Sequence, residues 1–266
     1  FIKFGSIAIP LIIICIVGVL ILIKLLIKKV PISSKMSYLI AIGTSVCGAT
    51  AIVATAPVIN AKKSEVAYAI ANITLFGVIA MLLYPYFAEW YFDNESLNVG
   101  LFLGTSIHET SQVAAAGLIY DQQFNSPETL NVATVTKLIR NTFLVILIPL
   151  FAFLYNRGEF KGQKYSIFNI FPYFVLGFIG MIIVRNLGDQ LYPTGSNNHE
   201  IWVNLIEYLK ILATVFLTMA MAAVGISINL SELKSMGYKP FVVGLIAAVT
   251  VGIISLIYIE TLQKFI

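Results

Sequence analysis

The sequence predicts an all-α, polytopic transmembrane helix bundle with two broken or re-entrant polar helices related by an inverted repeat. Three observations point there. Of 266 residues, 59% are hydrophobic and 11% charged, where a soluble domain carries about 25% charged residues, and the mean hydropathy is +0.90. Six stretches approach the ~20 apolar residues that a span needs. Two more segments are long enough to cross but rich in Gly, Ser, Thr and Ala, and they share a phrase.

The six spans lie near Gly5–Ile27, Val66–Tyr86, Leu138–Leu154 with its upstream turn, Ile167–Val184, Ile201–Ala223 and Phe241–Ile259. Each is apolar around its whole circumference, which suits a helix in lipid or inside a bundle and not a surface helix. The first has no small-residue cleavage site and runs on into more membrane, unlike a signal peptide. Ser126-Pro127-Glu128 reads as a cap, an N1 proline and a first-turn acid. Gly195-Ser196-Asn197-Asn198 reads as a turn, and Lys239-Pro240 as the start of the last helix. Residues 1–266 are expected to form a single transmembrane domain. The net charge of +4 is too small a bias for a nucleic-acid partner. Cys15 and Cys47 have no metal-ligand spacing, so neither a metal nor another cofactor is expected.

The two polar segments are Leu39–Ile59 and Leu101–Tyr120. Gly43-Thr44-Ser45-Val46 matches Gly104-Thr105-Ser106-Ile107, 61 positions on. Each segment is followed by a span ending in a similar phrase, Tyr84-Pro85-Tyr86-Phe87 and Ile148-Pro149-Leu150-Phe151. Repeat units of about 39–95 and 97–156 are expected. Segments of this composition suit discontinuous helices lining a polar cavity.

Loop charges supply the topology. Lys28, Lys29 and Lys35 follow the first span, and Lys62 and Lys63 follow the first polar segment. Glu89, Asp93 and Glu95, then Asp121 and Glu128, come next without a basic residue; Arg157, Lys161 and Lys164 follow. Basic loops favour the cytoplasm. If each polar segment enters and returns on its own side, the loops read in, in, out, out, in, out, in. The two segments then approach the midplane from opposite faces. A broken helix that crosses is the alternative.

The first motif offers the hydroxyls of Thr44, Ser45 and Thr50, the thiol of Cys47, and backbone donors where Gly43 and Gly48 permit a break. The second offers Gly104, Thr105 and Ser106 with His108, Glu109 and Gln112. Unpaired helix N-termini and hydroxyls suit an anion, while tight packing through small residues is the plainer alternative. Ionisable groups inside a span are costly and mark polar cavities. His108 and Glu109 are therefore candidates for coupling to an ion, with capping as the plainer role for Glu109. Lys137 and Arg140 share a helix face. Counted back from Tyr155, Lys137 is expected to snorkel to the outer surface and Arg140 to sit inside, as an oxyanion contact or as an interfacial anchor. Gly225, Ser227 and Asn229 suggest a further helix break with Asn229 accessory to the site.

The phrases GTSVCGATAIVATAPVI, IANITLFGVIAMLLYP, GTSIHETSQVAAAG and KLIR together resemble the YeiH-like family of conserved hypothetical bacterial membrane proteins, also called sulfate exporters. The resemblance runs from about Pro10 to the C-terminus. It implies an inverted-repeat secondary transporter, a multi-pass protein of the bacterial inner (plasma) membrane. It points to Ser45, Cys47, Gly48, Thr50, His108, Glu109, Gln112, Lys137 and Arg140. Members are longer at the N-terminus, so a chain that begins at Phe1 is expected to lack their first spans.

The expected function is secondary transport, in the direction of export by the resemblance, of a small anion such as sulfate or a sulfonate. H+ or Na+ would be the coupling ion, the lipid bilayer the surroundings and a homodimer one arrangement open to it. An anion channel and a non-transporting membrane binding subunit are the alternatives. No Walker A pattern or HExxH motif is present, and an enzyme is not expected.

Overall fold

The computed structural model describes residues 2–27, 29–159, 173–196, 198–227, 231 and 237–263. The described residues hold eleven α-helices and no strand. Four segments are long and apolar enough to cross a membrane: Gly5–Ile27, Lys63–Phe92, Pro127–Phe151 and Lys239–Thr261. The chain divides into two compact units, Phe1–Ile170 with Ile228–Ile266, and Phe171–Ser227.

In the larger unit, α1 (Ile2–Ile27) presents Ile9, Ile13, Val17, Ile21 and Leu25 outward and buries Leu11, Cys15, Val19 and Ile23. The outward row recurs every four residues, one helical stripe. In water such a stripe would be a liability; against lipid chains it costs nothing. Helix α4 (Lys63–Phe92) has the same character, exposing Leu75, Ile79, Leu82 and Leu83. The last helix, α11 (Lys239–Gln263), runs parallel beside it. Tyr68 Oη donates to the Gly237 carbonyl at one end, Asn72 Nδ2 to that of Pro240, and Tyr91 Oη to Glu260 at the other end.

Both polar segments are helical hairpins that return to the side they entered. The first is α2 (Ser34–Ser45) followed by α3 (Ala49–Thr55). At its mouth Lys35 Nζ donates to the Asn60 carbonyl at 2.7 Å, and Ser33 Oγ to Glu65 at 2.5 Å. Residues before α2, after α3 and at the start of α4 therefore lie together. The second hairpin is α5 (Ser96–Ser106) followed by α6 (Thr110–Phe124). Ser96 Oγ and Ser126 Oγ, 2.7 Å apart, close its mouth. There Tyr120 Oη donates to Glu89 at 2.5 Å, at the far end of α4. Thirty residues of helix measure about 45 Å, more than a hydrocarbon core of about 30 Å. The hairpins thus enter from opposite ends of α4, as an inverted pair.

Helix α7 (Pro127–Thr142) leaves the second mouth, with Ser126 as N-cap and Pro127 in the first turn. A turn at Phe143 joins it to α8 (Leu144–Glu159). This span begins at Pro127, eleven residues before the expected Leu138, so the depths counted from Tyr155 shift. Lys137 lies ten residues into the span, about 15 Å from its start.

The smaller unit holds α9 (Tyr173–Leu191) and α10 (His199–Ser227), the expected spans Ile167–Val184 and Ile201–Ala223, of which 167–172 lie outside the described residues. Between them Gly195 takes φ +97°. Asp189 accepts from Trp202 Nε1 and from Arg185 Nε, each at 2.8 Å.

Candidate functional site

The matched phrases end at the same structural event. α2 stops at Ser45 and α5 at Ser106, and the intervening breaks are 46–48 and 107–109. Gly48 turns the first break with φ +66° and ψ −125°, a conformation that needs glycine. Its amide donates to the Gly43 carbonyl at 3.0 Å. A Cβ at Gly48 would also collide with Glu109 Oε1, so the breaks are in contact. Gly43 and Gly104 serve packing. A Cβ on Gly43 would meet Ile52 and Ile73 within 2.9 Å, and one on Gly104 would meet the Ala133 carbonyl at 2.7 Å.

Two buried cations on α7 hold the broken ends. Lys137 Nζ donates to the carbonyls of Val46 at 2.7 Å and Ile107 at 2.9 Å. Arg140 donates from Nε to Ser45 O at 2.7 Å, from Nη1 to Thr105 O at 2.5 Å and from Nη2 to Thr44 O. Both side chains are 0% exposed. A helix C-terminus leaves its last carbonyls unpaired and carries partial negative charge. The cations answer both. Lys137 does not snorkel to the surface as expected; its partners are carbonyls at the tips of both hairpins. Arg140 is no interfacial anchor, and three of its N–H groups are committed to the backbone.

Glu109 serves the opposite polarity. As N-cap of α6 it forms a capping box with Gln112, and its Oε1 also accepts from the Ala49 amide at the start of α3 at 2.6 Å. One carboxylate thus caps two helix N-termini. Gln112 is occupied as well: its Oε1 accepts from the Glu109 amide and its Nε2 donates to the Thr74 carbonyl at 3.2 Å.

Four polar atoms in these tips are buried with no hydrogen-bond partner: Thr44 Oγ1, Ser45 Oγ, Ser106 Oγ and His108 Nδ1. Their residues are at most 2% exposed. Buried polar groups are nearly always paired, so four orphans around two breaks are unusual. Cys47, in the first break, is a buried free thiol. Two expected members stand apart. Thr50 is exposed at the start of α3. Thr105 spends its hydroxyl on the Leu101 carbonyl and on Ser255 Oγ of α11, each at 2.7 Å. Asn229 lies outside the described residues.

Sequence reading missed Asn141 and Ser255. Asn141 Nδ2 donates to Thr110 Oγ1 at 3.1 Å, fastening α7 to the start of α6. It completes a Lys137, Arg140, Asn141 face at i, i+3, i+4. Ser255 is one of several hydroxyls in the last span, with Thr250 and Tyr258 close by in the sequence, and nothing in the sequence singles it out.

Comparison with known proteins adds relatives. Residues 1–244 match the model of a family described as conserved hypothetical protein 698. The chain is 35% identical over 261 residues to a UPF0324 membrane protein of Fusobacterium nucleatum, covering 96% of this chain and 75% of that one. It is 36% identical over 256 residues to one of Streptococcus agalactiae, covering 95% and 72%. A relative in Streptococcus pneumoniae is 34% identical over 249 residues, covering 93% and 70%. No solved structure matches the chain.

Proposed function

The chain belongs to the family of conserved hypothetical protein 698, whose relatives are named as membrane proteins, and we propose that it is a secondary transporter of a small anion in the inner (plasma) membrane of a bacterium. One observation carries this reading. Where the hairpin tips meet, two buried cations stand against one carboxylate, beside four buried polar atoms without partners. Isolated buried charge is costly, and an anion among those hydroxyls would both balance the charge and satisfy the donors. Sulfate, a sulfonate or a similar small anion fits those donors. Opposed re-entrant hairpins supply the rest, because each tip connects the meeting point to a different side.

Counterflow in proteoliposomes tests it. The purified chain, loaded inside with unlabelled sulfate, should transiently accumulate labelled sulfate above equilibrium, and the rate should saturate. Non-saturating flux without accumulation would make the protein a channel. Absence of both flux and anion binding would leave a membrane protein that does not handle anions.

A further inference from the structure

The charge where the tips meet also sets which anions enter alone, an inference that rests on the anion reading above. Glu109 only accepts hydrogen bonds there, from the Ala49 amide and from the third-position amide of α6; this is the behaviour of an ionised carboxylate. Lys137 and Arg140 donate to five carbonyls between them. The C-terminal ends of α2 and α5 bring partial negative charge, the N-terminal ends of α3 and α6 partial positive charge, two ends of each sign. With Lys137 and Arg140 protonated and Glu109 ionised, the balance is one positive charge, away from water and unscreened by salt.

A singly charged anion neutralises that balance. A doubly charged one leaves a net negative charge buried, unless a proton enters with it. His108 stands in the second break with Nδ1 buried and unpaired. Imidazole is the side chain that exchanges protons near neutral pH. Lys137 and Arg140 face His108 from α7; Glu109 follows it in the chain. Cys47 in the first break lies near Lys137, Glu109 and Arg140, and Cys15 on α1 near Arg140.

We propose that the site takes singly charged anions without a proton, and doubly charged anions together with one proton that His108 accepts. The proton comes from bulk water and adds to the unprotonated ring nitrogen, giving an imidazolium beside the bound dianion. No bond in the anion changes.

The probes are sulfate, doubly charged, and methanesulfonate, singly charged, titrated calorimetrically into the purified chain between about pH 6 and pH 8. Sulfate Kd should rise about tenfold for each pH unit, the linkage of one proton, while methanesulfonate Kd stays flat. Repeating the sulfate titration in buffers of different ionisation enthalpy counts the proton directly on the unmodified protein. In His108→Asn the sulfate slope should vanish, while methanesulfonate with the unmodified protein is the control for the proton-free mode. A pH-independent sulfate Kd, or no proton counted, overturns the charge rule and leaves the anion reading standing. A slope that survives in His108→Asn overturns the assignment to His108. If neither anion binds, the anion reading itself fails and takes the rule with it.

Discussion

The carbonyls of Val46 and Ile107, 61 positions apart in the sequence, accept from one ammonium, that of Lys137, at 2.7 and 2.9 Å. Arg140 repeats the arrangement one turn later with Thr44 and Thr105, again 61 apart. A single helix therefore ties equivalent carbonyls of both hairpins, and loss of either cation loosens both tips at once.

Lys137→Met keeps the chain length and removes two charge-assisted donors. Each orphaned buried carbonyl costs about 1–3 kcal/mol. Unfolding in detergent should show a loss of about 2–6 kcal/mol on that count. Arg140→Lys should lose about 2 kcal/mol, because an ammonium cannot reproduce the fork that reaches three carbonyls. A Lys137→Met protein as stable as the parent would mean that the two carbonyl contacts do no more than offset the cost of burying the ammonium.

Gly48→Ala should be among the most damaging small changes in the first hairpin. The backbone there costs a non-glycine residue about 1–3 kcal/mol, and the new methyl group also displaces Glu109 from its caps. Gly177→Ala is the control, since a Cβ there meets nothing within 4 Å; it should be neutral or add up to about 1 kcal/mol. Thermal unfolding of the two variants side by side checks both.

Ser106→Ala and Thr105→Val should part company. The Ser106 hydroxyl is buried without a partner, so its removal should leave anion-free stability unchanged or raise it by about 1 kcal/mol. Anion affinity should fall about tenfold if that hydroxyl serves the ligand, a loss on the scale of one hydrogen bond. Thr105→Val breaks the bond to Ser255 and should cost about 1 kcal/mol of stability with little effect on affinity. Paired stability and binding titrations read the contrast; equal behaviour of the two variants would remove Ser106 from the site.

Glu109→Gln raises the charge balance from one positive charge to two. Sulfate should then bind with a Kd that no longer changes with pH, and methanesulfonate should become the anion that leaves charge unbalanced. The amide has one acceptor oxygen for two helix N-termini, so stability should fall by about 1–2 kcal/mol as one cap is lost. A sulfate pH slope like the parent's in this variant would show that Glu109 does not enter the charge balance.

Local signals carried the all-helical class, the two breaks and the start of α7. Apolar runs of span length, the small residues before Val46 and Ile107, and Ser126-Pro127 act over a few residues, and a reader of the chain meets all their causes together. Loop charges even indicated that both polar segments return to their own sides, because the sidedness of Lys and Arg is a property of each loop. The direction of long side chains was decided only by the tertiary structure. Lys137 has enough reach for either an interface or an interior, and its carbonyl partners lie 91 and 30 positions away. Thr105 looked equivalent to Thr44 by phrase; Ser255, 150 positions later, separates them by taking one hydroxyl and leaving the other unpaired. A hydroxyl is available to a ligand only if no neighbour has claimed it, and neighbours in space are set by how helices pack, which the order of residues along one helix does not contain.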